Sequence, residues 1–228
     1  MKRWFNTGAG RGIGLVIACM ILVAPALGVA SPAADRQPPA VRTDLGTFTH
    51  AADVGEPAIA GSTTYDPERQ TYTLRASGTN MWGTHDEFHA VWKTLRGDFI
   101  LRTNARFTSD GEPHRKLGWI VRTSLDDNAA YADAVLSGNG MASLQFRRTT
   151  GGQTELIESP VKAPDVIQFE RRGRKFIMSV ARSGEPFTHT ELADLDLGEE
   201  VQVGLFLCAH DPSGVATATF DNVRIDGG

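Results

Sequence analysis

Cysteine is almost missing from this chain: among 228 residues only Cys19 and Cys208 occur. If the first thirty residues are removed on export, Cys208 stands alone, so no intramolecular disulfide can form and the fold must rest on its core. A concentrated basic stripe is missing too. The formal charge is −4, and removing residues 1–30, which hold Lys2, Arg3 and Arg11 and no acid, moves it to −7. Nucleic acid requires clustered Lys and Arg to displace counterions, and the pairs Arg147-Arg148 and Arg171-Arg172 are each split by strand alternation or set beside a turn glycine. A nucleic-acid partner is therefore excluded. The one long apolar run, residues 13–27, is shorter than the ~20 residues of a bilayer crossing, so no membrane span is expected. No stretch carries a convincing helical period, and neither a G-x-S-x-G elbow nor a phosphate-cradling loop occurs, which leaves esterase and nucleotide readings without an anchor.

What the first residues do contain is a basic start, that apolar run, and the small residues Gly28 and Ala30. Together they read as a cleaved secretory signal over residues 1–30, and predict an exported protein, periplasmic or secreted. The rival reading takes "VIAC", ending at Cys19, as a lipoprotein box, but the apolar run continues well past that cysteine. Residues 31–43 ("SPAADRQPPAVRT") lack periodicity and read as a flexible Pro/Ala-rich spacer. Residues 44–228 suffice for one domain with an ordinary core.

From residue 44 onward, alternation over short runs dominates. "TYTLRAS", "FHAVWKTL", "DFILRTNARF", "KLGWIVRTS", "YADAVLS", "MASLQFRRT", "DVIQFERR", "KFIMSVARS", "VQVGLFLCA" and "ATATFDNVRI" each read as a strand, separated by turn signals such as Gly97-Asp98, Gly151-Gly152 and Arg172-Gly173. Ten such strands with tight turns predict an all-β fold, a two-sheet antiparallel jelly-roll sandwich.

Because successive strand residues point to opposite sides, the pattern also sorts side chains into faces. It sends Trp119, Leu144, Phe146, Phe169 and Leu205 inward, and by the same test Phe88, Ala90 and Trp92. It sends Glu87, His89, Lys116, Arg122, Asp133, Gln145, Arg147, Gln168 and Glu170 outward. On neighbouring strands these would tile one sheet face with long donors and acceptors of both signs, the composition that hydrogen-bonds sugar hydroxyls. A solvated sheet face with cross-strand ion pairs has much the same composition.

The segments "ASGTNMWGTHDEFHAVWKTLRGDFIL", "HRKLGWIVRTSL", "YADAVLSGNGMASLQFRRTTGGQTE", "DVIQFERRG", "FIMSVAR", "VQVGLFLCAH" and "FDNVRI" together resemble the concanavalin A-like lectin/glucanase superfamily. More narrowly they are similar to bacterial extracytoplasmic domains also found fused to TolB-like propellers. The resemblance covers nearly all of residues 44–228 and implies a jelly roll, often with glycan recognition on its concave face. This chain lacks the propeller, and the resemblance carries over no catalytic residue. The superfamily's laminarinase-like glucanases bear their carboxylates in an E-x-D-x-x-E stretch, which does not occur here; the nearest, "DLDLGEE", is a polar turn.

Three functions remain open. The first is a carbohydrate-binding, lectin-like module using Trp82, His85, Glu87, His89, Lys116, Arg122, Asp133, Gln145, Arg147 and Glu170, with a glycan stacked on Trp82, whose Gly/Asn-flanked loop suits an exposed indole. The second is a glycoside-active hydrolase or lyase with Glu87, His89 and Asp133 as acid/base candidates. The third is a scaffold for an envelope protein partner. His85, Glu87 and His89, two apart in "HDEFH", could share a face and hold a divalent ion, but the spacing lacks a helical metal motif, and neither metal nor another cofactor is expected. Cys208 alternates with Phe206 and reads as a buried structural thiol, and His210 as a turn residue.

Overall fold

The computed structural model describes residues 44–228. The expected leader at 1–30, with Cys19 in it, and the expected spacer at 31–43 lie outside the described residues. Among the described residues there is no helix, and the chain runs through sixteen strands: β1 (His50–Val54), β2 (Ser62–Asp66), β3 (Thr71–Gly78), β4 (Met81–Trp82), β5 (His85–Asp86), β6 (Phe88–Arg96), β7 (Phe99–Phe107), β8 (Lys116–Arg122), β9 (Tyr131–Ser137), β10 (Met141–Arg147), β11 (Thr154–Lys162), β12 (Val166–Arg172), β13 (Lys175–Ala181), β14 (Thr188–Leu192), β15 (Glu200–Cys208) and β16 (Asp211–Gly227). All ten sequence-predicted strands are present.

They form two seven-stranded antiparallel sheets, β1-β6-β15-β8-β9-β10-β11 and β14-β13-β12-β7-β16-β3-β2, with β4 and β5 as a separate small hairpin. The fold is the expected two-sheet antiparallel jelly-roll sandwich. Between the sheets lies the main core, in which Trp119, Leu144, Phe146, Phe169 and Leu205 are buried, as alternation predicts.

Strand β6 corrects the alternation reading. Val91 and Leu95 face the main core, whereas Phe88, Ala90 and the partly buried Trp92 lie on the opposite face of the sheet, in a second apolar cluster with Met81, Ile120, Tyr131, Val135, Phe206 and Cys208. The reason is that this outer face is itself covered. Apolar residues then occupy both sides of β6, and period-2 reasoning cannot say which side is the interior.

Two glycine positions bring strands close. Gly118, at φ +153°, sits in mid-β8 where a Cβ would run into the carbonyl oxygen of Ala134 on β9. Gly204 on β15 leaves equivalent room for Trp92 and the Val91 carbonyl of β6. Both are backbone approaches that only the missing side chain permits.

Candidate functional site

Pairing register places the sequence-predicted polar residues in rows across the outer face of the first sheet. Gln202, Arg122, Tyr131 and Arg147 lie side by side across β15, β8, β9 and β10, and Gly204, Ile120, Asp133 and Gln145 form the next row. Cys208, Lys116 and Ser137 come further along the same strands. Lys116, Arg122, Asp133, Gln145 and Arg147 thus share one face.

That face is not an open groove. The β4–β5 hairpin folds over it and lowers Asp86, fully buried, between the two arginines. Arg122 Nη1 donates to Asp86 Oδ2 at 2.8 Å, and Arg147 donates to both carboxylate oxygens at 2.7 and 2.8 Å. The remaining donors of Arg147 reach the Gly83 carbonyl at 3.0 and 3.3 Å, the Ala129 carbonyl at 3.1 Å and Thr154 Oγ1 at 3.3 Å. Arg122 also caps the carbonyls of Ser124 and Asp126. Between the guanidiniums lies the Tyr131 ring, with their carbons 5.4 and 5.0 Å from its centroid. The expectation that Arg122 and Arg147 line a solvent-facing groove is therefore corrected: they anchor a lid, and every donor of Arg147 is engaged within the protein. Asp86 is the residue that strand alternation overlooks. Its signal was indirect: two arginines in phase beside one tyrosine on a buried face require a carboxylate from elsewhere in the chain.

Beyond the lid a cleft of about 330 Å³ stays open. One wall is Trp82, 42% exposed at the hairpin tip. The floor is made by Lys116 and Gln145, with Ser137 beside them, and His114 and His210 stand at the mouth with ring centroids 5.5 Å apart. Lys116 Nζ donates to Asn80 Oδ1 at 3.0 Å and to the Met81 carbonyl at 2.9 Å, and lies 5.4 Å from the Trp82 ring centroid. Gln145 Nε2 donates to Ser143 Oγ at 3.1 Å, while Gln145 Oε1 has no partner although the side chain is 1% exposed. A buried amide oxygen without a donor costs on the order of 1–3 kcal/mol, and a ligand supplying one would recover it.

Behind Gln145, Asp133 accepts the Gln145 backbone N–H at 3.2 Å through Oδ1, and its Oδ2 is unpartnered. Burial pushes this carboxyl well above the usual carboxylate range; Lys116 opposes the shift and the charge of Asp86 adds to it. Burial likewise pulls the Lys116 ammonium below its ordinary value, against the attraction of Asp133. His210 is lowered by burial and by the neighbouring Lys116 and His114. It is a turn residue, at φ +57°, as its sequence context suggests, and it also lines the cleft. Asn80, Ser137 and Leu156 line it as well and were not legible as site residues.

The other expected site residues go elsewhere. Glu170 belongs to the second sheet, where its carboxylate takes Arg172 Nη2 at 2.6 Å, so it cannot join this face. His89 is buried on the inter-sheet side at the sandwich edge: Nδ1 meets Asp53 Oδ1 at 2.7 Å and Nε2 meets Thr63 Oγ1 at 2.9 Å. Since β1 and β2 are edge strands of different sheets, this Asp53–His89–Thr63 chain ties the two sheets together. Glu87 precedes β6 and holds the Thr79 hydroxyl at 2.7 Å and its backbone N–H at 3.0 Å. His85, half-exposed on the hairpin, sits 3.1 Å from Asp127 and 3.6 Å from Glu87. "HDEFH" is thus no cluster, and among the described residues no group of three or more His, Cys, Asp or Glu side chains is arranged to hold a metal ion. Glu87, His89 and Asp133, the acid/base candidates, do not converge, and no carboxylate lines the cleft.

No family model matches the chain. No curated protein matches it in sequence. Solved structures do share its fold. A functionally unknown protein from Saccharomyces cerevisiae superposes with a TM-score of 0.58 at 14% identity, covering 73% of this chain and 92% of that one. A carbohydrate-binding module from Bacillus subtilis gives 0.53 at 17% identity, covering 79% and 98%. A family 7 alginate lyase in complex with product gives 0.50 at 10% identity, covering 73% and 83%.

Proposed function

We propose that the protein is a carbohydrate-binding module that takes a sugar in the Trp82 cleft, and that residues 1–30 export it to the periplasm or the medium. The observation that carries this reading is the unpartnered Gln145 Oε1 at the floor of a cleft walled by an exposed indole. A pyranose offers what both lack: a hydroxyl to donate to the amide oxygen, and a C–H face to lie on the ring. Ser137 Oγ and the edge of Lys116 supply further partners for neighbouring hydroxyls. Fold likeness to a carbohydrate-binding module and to an alginate lyase supports a glycan ligand in general terms. The cleft's size, near the lower end of small-ligand sites, suits one or two sugar units rather than a long chain.

Arg122 and Arg147 act in this reading as positioning residues. By clamping Asp86 they fix the hairpin, and with it Trp82, at a set distance from Lys116 and Gln145. Preorganisation of that kind removes an ordering cost from binding. The absence of any carboxylate from the lining argues against acid/base glycoside hydrolysis, which places two of them across the scissile bond.

A glycan array probed with the full chain, followed by calorimetric titration of the hits, tests the proposal. Gln145→Ala and Trp82→Ala should each weaken the best hit by ~1–3 kcal/mol while the protein stays folded. Glycans bound equally well by both variants would move the site off this cleft and defeat the reading.

A further inference from the structure

The polar groups that line the cleft are one-sided. Lys116 forms its floor, His114 and His210 its mouth, and no carboxylate reaches its surface. Of the acids nearby, Asp86 lies fully buried between Arg122 and Arg147, so one carboxylate faces two guanidiniums. Asp133 is sealed beneath Gln145, and its burial favours the neutral acid. Glu112, on the loop before β8 and outside the lining, turns its Oε2 to the His114 backbone N–H at 2.7 Å, and its charge favours the protonated form of His210. Asp211, next to His210, is taken up by Ser213 at 2.8 and 2.9 Å. An ammonium has three N–H donors, and the protein accepts two from Lys116, at Asn80 and Met81. The third remains for a ligand.

Resting on the glycan reading above, we propose that the cleft selects an acidic sugar, seating its carboxylate against Lys116 and the His114–His210 pair while Gln145 accepts a ring hydroxyl and Trp82 carries the C–H face. Each part of such a sugar answers a different deficit of the site. The carboxylate meets the Lys116 ammonium and the imidazole N–H donors, the hydroxyl meets the orphaned amide oxygen, and the apolar ring face covers the indole. A neutral sugar leaves the Lys116 donor without a charged acceptor. A bare inorganic anion leaves Gln145 and Trp82 unmatched. The partly enclosed position of Lys116, 6% exposed, makes the pairing matter more than an ion pair on an open surface, where water and salt screen it.

The test compares hexuronate disaccharides with their methyl esters, which keep every hydroxyl and lose the charge, by titration of the full chain at moderate salt. The acids should bind at least about tenfold more tightly than the esters, the factor expected when a charge-assisted hydrogen bond becomes a neutral one. The preference should grow from pH 8 towards pH 5.5 as His210, which burial and the neighbouring Lys116 hold below its ordinary range, begins to take up a proton, since the sugar carboxylate stays ionised over that range. His114→Gln at the mouth and Lys116→Met at the floor should each shrink the ratio of acid to ester affinity, whatever they do to ester binding itself; His114→Gln keeps the test valid if Lys116→Met fails to fold. Esters bound as tightly as acids would overturn the acidic-sugar inference and leave the glycan site standing. Acetate or sulfate bound as tightly as the uronates would overturn it as well, by showing an anion site without sugar recognition. No binding of either sugar form, with no hit on the glycan array, would remove both proposals together.

Discussion

Replacing Asp86 by alanine should be among the most damaging single changes in this chain. The side chain is fully buried and accepts three charge-assisted hydrogen bonds, one from Arg122 and two from Arg147. Alanine removes one carboxylate and leaves two guanidiniums, 2% and 0% exposed, without their counter-ion. Stranding one member of a buried ion pair costs ~3–5 kcal/mol, because the remaining charge keeps its desolvation penalty and loses its compensation. Here the Gly83, Ala129, Ser124 and Asp126 carbonyls still receive some of the donors, so the lower half of that range applies if the arginines stay in place. The hairpin would also lose its central anchor, leaving Met81 and the Gly83 carbonyl contacts to hold it down. For a domain of this size ~3–5 kcal/mol corresponds to a fall in melting temperature of roughly 6–20 °C. Calorimetric melting together with guanidinium denaturation measures it. A companion variant, Arg96→Ala, removes a surface pair with Glu200 at 2.7 Å and should change stability by less than ~1 kcal/mol. If Asp86→Ala melts within ~2 °C of the parent, the hairpin is not held by this cluster and the account of Arg122 and Arg147 as anchors fails.

Phe146→Ala, which empties a site in the main core directly behind the outward-facing Gln145 and Arg147, should cost ~3–5 kcal/mol by chemical denaturation, against at most ~1 kcal/mol for Gln145→Ala. Gly118→Ala should fail to accumulate as folded protein, since its Cβ meets the Ala134 carbonyl at a φ that alanine rarely adopts; a soluble variant with unchanged melting would contradict the close approach of β8 to β9. Burial holds the His89 imidazole below its ordinary pKa, with Asp53 pulling the other way. The unfolded chain therefore takes up that proton at higher pH than the native state, so stability should decline as pH falls through 6.5 and below. In His89→Gln the decline should be shallower, and melting curves from pH 7.5 to 5 that run parallel for the two proteins would refute it.

Much of the architecture was legible in one dimension. Every strand with a partner on both sides was found from its alternation, because such a strand must present apolar residues to the core at a period of two. The strands that escaped notice are β1, β11, β14 and β2, the edges of the two sheets, and the small β4–β5 hairpin. Edge strands such as "THTEL" and "TELIESPVK" meet solvent along one side and carry charges, a proline, or no periodic apolar set at all, so their pattern resembles that of loops. Alternation also placed Lys116, Arg122, Asp133, Gln145 and Arg147 on one face, since phase along a strand follows from geometry alone. It could not tell what lies above that face.

That was decided by the tertiary structure. The hairpin brings Asp86 over thirty residues of sequence to Arg122 and some sixty to Arg147, a pairing of charges with no local trace. Once it is in place, part of a sheet face with the composition of a binding surface becomes interior, and Phe88 and Trp92 pack outward rather than between the sheets. The fold also sends Glu170, on the polar phase of β12, to the second sheet, and His89, in phase with Val91 and Leu95, to the inter-sheet side at the sandwich edge. Conversely it joins Trp82, from the β4–β5 hairpin, and His114 and His210, from two separate turns, around one unpartnered amide oxygen. Periodicity within a strand fixes which side chains share its face, while accessibility and partnership depend on which distant segment covers that face.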